Sequence, residues 1–468
     1  MRDIQEHLTP TPICHECDCV VIGGSCTGVF AAVRAARLGL SVAIVEAHNC
    51  FGGVATTAGV NIWHSLYDTR YDKRIIGGLT VEVIDLLRHR HAIEEQPQRC
   101  NAFHLNTEEL KIVLDGLVRT HRIRPFLHTR FAAPICTDDG LTAVAIEDQQ
   151  GRRAIRARCF IDASGDGVLV ARAGYPTRTG QALQPPTTCA KIQGLQALRA
   201  RHPGLDISRV LFDAERHPEA LADGFVWTAP VPGATDTTLL AGTRLHGVDV
   251  SHPDQLSQAE IDGRDQVDRI MRMLRREAGD LPIALIDLAA HIGSRESRHA
   301  CCLHRLREDE LLHGVTFADA IAAGSYRVDI HFPDRAGLVF RYLDGTEVEL
   351  GPEGPRIGRW RPPLETGSDP NSYQIPLRSL IPIGSDNVLV AGRIIDADPG
   401  AFGAVRVMVT ANQMGEAAGV AAAVHLRSQV PMHRIDAHQV RRLLAAGGSL
   451  VPPQPGKTVA DRTMTRSD

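Results

Sequence analysis

The feature that most restricts the fold is a strand, a glycine turn, a helix and a second strand packed into residues 19–46. Cys19-Val-Val-Ile22 is a short apolar run suited to a strand buried on both faces, and it stops at Gly23-Gly-Ser-Cys-Thr-Gly28. From Val29 to Leu38 the small apolar residues Ala31, Ala32, Val33, Ala35 and Ala36 form one face, interrupted by Arg34 and Arg37; this predicts a helix ended by Gly39. Ser41-Val-Ala-Ile-Val-Glu46 then gives a second buried strand finishing in an acid. The order is that of a βαβ unit carrying the dinucleotide fingerprint.

Each position has a physical reason. Gly23 permits the tight turn out of the strand, Gly28 lets the helix pack closely on the sheet, and the free N–H groups of the first helical turn, reached through Gly24, Ser25, Cys26 and Thr27, suit a pyrophosphate. Ser25 stands where the middle glycine of the fingerprint belongs; its side chain is small, so close approach of a phosphate is hindered and not forbidden. Glu46, about 20 residues downstream, is placed to accept hydrogen bonds from ribose hydroxyls, with Ala47 beside it. The fingerprint alone does not separate FAD from NAD.

Composition narrows the class. A chain of 468 residues with 43% hydrophobic and 23% charged residues has the profile of a globular protein of two lobes. Its net charge of -4, with basic residues spread along the chain, speaks against a nucleic-acid partner. No segment approaches the roughly 20 apolar residues of a membrane span, and Met1–Thr11 has no signal-peptide stretch, so a cytoplasmic location is expected. Eleven scattered cysteines fit reduced thiols better than a disulfide framework. Cys14, His15, Cys17 and Cys19 have metal-like spacing, yet Cys19 opens the first strand and no second pair joins them, so no metal is expected.

Three further glycine-rich strand ends add to the pattern: Gly52-Gly53-Val54, Cys159-Phe-Ile-Asp162-Ala163-Ser-Gly165-Asp166-Gly167, and Asn387-Val-Leu-Val-Ala-Gly392-Arg393. With these the sequence resembles the FAD-dependent oxidoreductases that have a glutathione-reductase-type FAD domain, a family distantly related to fumarate reductase and succinate dehydrogenase flavoproteins. The matching stretches are Val20–Leu66, His104–Asp115, Phe160–Gly174, Ile292–Arg298 and Tyr373–Ala423. The resemblance implies FAD as cofactor, with Asp162–Gly165 beside its adenosine half and Val390–Gly392 under the ribityl chain. It also implies that Gly403, Arg406, Met414 and Gly415 lie near the flavin and its adjoining groups. The Ala, Gly and Val run Gln413–Ala423 independently suits a helix packed tightly on sheet and cofactor.

The fold expected is α/β: a Rossmann-like FAD-binding domain with a central parallel sheet and a small antiparallel sheet, plus an α+β substrate lobe. Residues 1–190 and 373–446 make the two parts of the FAD domain, 191–372 the substrate lobe, and 447–468 a C-terminal extension. A hairpin is expected at Thr142–Glu147 and Arg153–Ala157, a strand at Asp236–Arg244, and a helix at Ser257–Arg276 opened by a Ser257-Gln-Ala-Glu260 capping box.

Candidates for chemistry are fewer, because a flavin carries the electron transfer and the protein need only bind, orient and supply proton donors or acceptors. Ile292-Gly-Ser-Arg-Glu-Ser-Arg298 matches a segment that, by resemblance, returns to the flavin site from the middle lobe. Arg295 is its candidate clamp for a carboxylate, while Arg298 is expected to pair with Glu296 or Asp309. His64 is expected near the flavin face as proton donor or covalent attachment point, with His331 and Tyr373 as acid-base candidates and Arg378 as a further anion contact. A structural role is the competing reading for each.

No second G-x-G-x-x-G unit and no C-x4-C redox pair follows the first motif, which argues against the pyridine-nucleotide disulfide reductases. Vicinal Cys301-Cys302 reads as two small hydrophobes. The expected function is a dehydrogenase or oxidase passing a hydride from a small oxygenated or anionic substrate to flavin N5. A flavin monooxygenase and a non-redox FAD-binding protein are the alternatives. Expected partners are the small-molecule substrate, an electron acceptor of unknown kind and, in the open, a second copy of the chain.

Overall fold

Cys19–Ile22 (β1) and Val42–Val45 (β2) are buried at every residue, as strands covered on both faces must be. In this computed structural model, which describes residues 10–96, 102–137, 140–222, 225–365 and 367–455, they form the middle of a five-stranded parallel sheet. Arg124–Phe126 (β3), Cys159–Asp162 (β4) and Val388–Val390 (β5) complete it in the order β5-β4-β1-β2-β3. A strand from near the C-terminal end of the chain therefore pairs with β4, residue for residue from Phe160–Val388 to Asp162–Val390. Residues 1–9 and the tail from 456, which the sequence reading covered, lie outside the described residues.

The first helix, α1, spans Cys26–Arg37, one turn earlier than the apolar pattern marks. Ser25 causes this: it sits at φ -58° and its Oγ accepts from Gly28 N at 3.2 Å, so it caps the helix. The turn thus has no need of a glycine there. Room for the serine is made across the loop, where a Cβ on Gly53 would come 2.9 Å from the Ser25 Cβ. Gly23, at φ +100°, has the Ala163 carbonyl where a Cβ would sit, at 2.5 Å.

Met408–Ser428 (α2) is buried on all sides from Val409 to Val424, which explains its Ala and Gly content. It lies against α1: a Cβ on Gly415 would stand 2.2 Å from Thr27 O, and one on Gly419 2.2 Å from Ala31 O. These two glycines set the distance between the helices.

Beside the parallel sheet, Arg130–Thr137, Gly140–Asp148 and Gly151–Arg156 form antiparallel neighbours, with Ile13–Glu16 added parallel at the edge. The middle of the chain builds an antiparallel sheet of Trp227–Pro230, Thr237–Ala241, Ala190–Gln193 and Ala284–Leu288, covered by the helix Pro253–Ala278. That helix starts at Pro253 rather than Ser257, because proline at its first position supplies the fixed φ of a helix start. The expected capping box is therefore absent: Ser257 Oγ donates to Pro253 O, and Glu260 Oε1 accepts from Ile292 N. A four-stranded antiparallel meander of Val328–His331, Leu338–Arg341, Thr346–Gly351 and Gly354–Arg359 follows. No described helix is long and apolar enough to cross a membrane.

Candidate active site

The C-terminal ends of β1, β2, β4 and β5 meet the start of α1, the position at which open α/β sheets bind ligands. A cavity of about 650 Å³ opens there and runs to the middle segment and the meander. Ser25, Cys26, Thr27, Gly53, Val54, Ala163, Gly165, Gly392 and Arg393 line its sheet end, all expected from the sequence. Gly23, Gly24, Gly28, Glu46, Ala47, Asp166, Gly403, Met414 and Gly415 are not in its wall. Several of them shape that wall from behind. A Cβ on Gly28 would be 1.9 Å from Gly23 O, and one on Gly403 would be 2.7 Å from Asp329 O.

Glu46 has internal partners at both oxygens: Oε2 accepts from Gly24 N at 2.6 Å and Oε1 from His48 N at 2.8 Å. It locks the glycine loop to the end of β2. Asp162 does the same at β4, accepting from Ser164 N and Oγ through one oxygen and from Leu169 N and Val170 N through the other. Asp166 Oδ1 accepts from Ser297 Oγ at 2.6 Å and Arg393 Nη2 at 2.5 Å. Arg298 Nη1 donates to Asp166 O, so its expected pairing with Glu296 or Asp309 is replaced by a backbone carbonyl of the sheet-end turn.

Ile292–Arg298 does return to this region. Gly293 and Thr187 exchange backbone hydrogen bonds at 2.7 and 3.0 Å, and Arg298–Ala300 pairs with Thr177–Thr179. Arg295 then enters the cavity wall, its Nη1 donating to Thr187 Oγ1 at 2.6 Å. Arg244 Nη1 reaches the same hydroxyl at 3.0 Å. Burial first, and then the Arg244 and Arg406 cations, push the Arg295 guanidinium well below its ordinary range. Arginine keeps its proton in proteins, so this crowding is an excess of positive charge that an anion would relieve.

Opposite stand Tyr326, Asp329 and His331, two of which the sequence reading did not single out. Tyr326 Oη donates to Asp329 Oδ2 at 2.8 Å; His331 Nε2 is 3.5 Å from Asp329 Oδ1 and Arg406 Nη2 is 3.6 Å from Oδ2. His64 lines the cavity with its ring 4.2 Å from that of Tyr326. Burial, then Arg327, brings its pKa down to about 3, and burial with Arg295, Arg244 and Arg406 holds His331 well below the usual imidazole range. Both rings are neutral near pH 7.

Tyr373 and Arg378 do not line the cavity. Tyr373 is fully buried in the core, donating to Ala404 O at 3.0 Å, because the strand Tyr373–Pro376 pairs with Ala320–Gly324 away from the cavity. Arg378 has a side chain 49% exposed and binds Asp319 through Nε at 3.0 Å.

The sheet end fits FAD on grounds internal to the chain. Glycines keep the backbone of the turns free for close approach, and the first turn of α1 has N–H groups for phosphate. Asn412, on α2, is fully buried in the cavity wall with neither Oδ1 nor Nδ2 hydrogen-bonded. A buried amide with both ends unsatisfied is costly, and a flavin ring edge offers carbonyl and N–H groups to match it. Ser25–Thr27, Gly53, Gly392 and Asn412 would hold the cofactor, which supplies two-electron chemistry when bound.

No curated protein matches the chain. Among solved structures it is similar to a geranylgeranyl bacteriochlorophyll reductase-like protein from Thermoplasma acidophilum, at 11% identity and TM-score 0.46 over 92% of this chain and 83% of that one. It is likewise similar to a flavin-dependent brominase, at 13% identity and TM-score 0.43 over 91% and 83%. A third is p-nitrophenol 4-monooxygenase from Pseudomonas putida, at 9% and 0.43 over 96% and 92%. The profile described as FAD dependent oxidoreductase matches residues 18–444. The chain belongs to that family and is an FAD-dependent oxidoreductase.

Proposed function

We propose that this oxidoreductase oxidises a small anionic substrate by hydride transfer to flavin, with the substrate lobe drawn from residues 191–372. The observation that carries the reading is the charge of the cavity. Arg295, Arg327, Arg393 and Arg406 line it, and among the described lining residues Asp329 is the one carboxylate. Arg393 is already bound to Asp166 at the sheet end, which leaves the excess around Arg295 and Arg406. A carboxylate placed there gains charge-assisted hydrogen bonds inside a cavity walled in part by Phe225, Trp227 and Phe340, worth more than at a surface.

A glutathione-reductase-type FAD domain, and a distant kinship with fumarate reductases, are finer readings supported by the glycine turns and the quoted stretches. The ten described cysteines are free thiols, which supports a cytoplasmic location.

The test is a titration of the holoenzyme with oxalate, followed through the visible flavin spectrum at low salt. A saturable perturbation is expected, weakened about 10- to 100-fold in Arg295→Ala and Arg406→Ala. No perturbation in the wild type, or one indifferent to both substitutions, sinks the anionic reading. Bleaching of the flavin by NADPH alone would instead favour a monooxygenase.

A further inference from the structure

We infer that Asp329 is the proton acceptor of this site and that the substrate is a hydroxy acid, an inference that rests on the anionic reading above. Asp329 is 8% exposed and stands in the cavity wall. Its Oδ2 is held by Tyr326 Oη at 2.8 Å, while Oδ1 has no hydrogen bond. Among the described residues lining the cavity it is the one carboxylate. Tyr326 comes from the same segment, and burial first, then Asp329, raises its phenol, so it stays protonated. His331 is two residues on, on the same face of the strand, and is neutral. His64 stacks on Tyr326 and is neutral. Arg406 from the segment before α2, Arg295 from the returning segment, Arg244 and Arg327 are cations and cannot accept a proton.

Charge also selects the substrate. An amino acid would bring an ammonium group among these guanidiniums, which like-charge repulsion disfavours. A hydroxy acid brings the carboxylate that the arginines accommodate and a neutral hydroxyl whose proton needs a base. In the step, the O–H bond breaks, its proton goes to Asp329 and its electron pair closes the C=O bond. The adjacent C–H bond breaks with its pair as hydride, accepted by the FAD of the family. The substrate loses two electrons and becomes a keto acid, and the flavin gains them.

The experiment uses the FAD-loaded enzyme under anaerobic conditions with a panel of short-chain 2- and 3-hydroxy acids, comparing wild type and Asp329→Asn by rapid mixing. Asparagine preserves shape and the acceptor for Tyr326, and retained flavin content checks that the variant is folded. Expected is bleaching of the wild-type flavin by at least one hydroxy acid and a rate about 100- to 10,000-fold lower in D329N, with the acid limb of the wild-type pH profile gone. Oxalate binding, read from the flavin spectrum, is expected to tighten in D329N, because a buried negative charge among the arginines has been removed. That tightening reports the charge of Asp329, while loss of the acid limb reports its role as the base, which a purely structural role would leave in place. D329N bleaching at the wild-type rate with its acid limb intact overturns Asp329 as the base. Oxalate binding without bleaching by any hydroxy acid overturns the substrate class and leaves the arginine reading standing. Failure of the wild type to bind oxalate removes both.

Discussion

Arg34 on α1 and Glu416 on α2, 382 residues apart in the chain, are joined through Nε and Oε2 at 2.7 Å with side chains only 4% and 1% exposed. Glu416 also accepts from Leu79 N and Ser449 Oγ, so one carboxylate ties both helices to Leu79 and to Ser449 near the C-terminal end of the described chain. Burial pushes its carboxyl above the ordinary range while Arg34 opposes that. A buried pair of this kind contributes little against a hydrophobic replacement, but removing one partner strands the other. Arg34→Ala is expected to cost about 3–5 kcal/mol, read from denaturant midpoints, and the double variant R34M/E416M to recover most of it. A loss below ~1 kcal/mol in R34A would show that the pair is not what holds the helices.

Asn412 gives a prediction that needs no substrate. If its amide meets the cofactor, Asn412→Ala removes two hydrogen bonds that only the holoenzyme can make. FAD affinity, measured by ultrafiltration and release of bound flavin, is expected to fall about 10- to 100-fold. Apoprotein stability is expected to hold or rise, since an unsatisfied buried amide has gone. Unchanged FAD affinity would detach Asn412 from the cofactor.

The neutral histidines set a pH dependence of stability. His64 has a folded pKa of about 3 against an ordinary 6.5, and His331 is also depressed. Over that window the unfolded chain binds protons that the folded one refuses, so stability is fully present above about pH 6.5 and is lost as pH falls toward 3. On the order of 1–2 kcal/mol per histidine is expected to disappear between pH 7 and pH 5, less for His64 in so far as its cavity is wet. His64→Asn and His331→Asn should each flatten the acid side of a plot of unfolding free energy against pH. Curves that superimpose on the wild type would mean that the rings take up protons in the native state.

Much of the fold was legible because buried parallel strands leave continuous apolar runs, and β1, β2, β4 and β5 each do. The turn was legible for another reason: only glycine tolerates the backbone at Gly23. Helix starts were harder, since Ser25 and Pro253 act through local hydrogen bonds and φ, and the apolar periodicity starts after both. Within the site, Asp329 was missed although His331 was named. The alternation of a strand puts residues 329 and 331 on one face, and that was the available signal. Asn412 also left one, as a polar residue at the head of a run of Ala, Gly and Val. Nothing local marks Tyr326, whose role comes from the meander folding back across the cavity.

The contrast between Arg295 and Arg378 separates position in the sequence from position in the cavity. Both were candidates for the anion, yet Arg295 lines the cavity among other cations while Arg378 lies half in solvent beside Asp319. An exposed pair contributes about 0–1 kcal/mol to stability because water and salt screen it. Arg378→Ala should therefore leave oxalate binding and flavin reduction at wild-type values and shift the unfolding midpoint by no more than that. Arg295→Ala removes a guanidinium whose neighbours are also positive, so the apoprotein should lose little stability or gain some, while the affinity for an anion drops. Losing affinity without losing stability is the signature of a residue kept for its ligand. If instead R295A unfolds early and R378A weakens oxalate, the anion enters from the Asp319 side and the cavity described here is a second chamber.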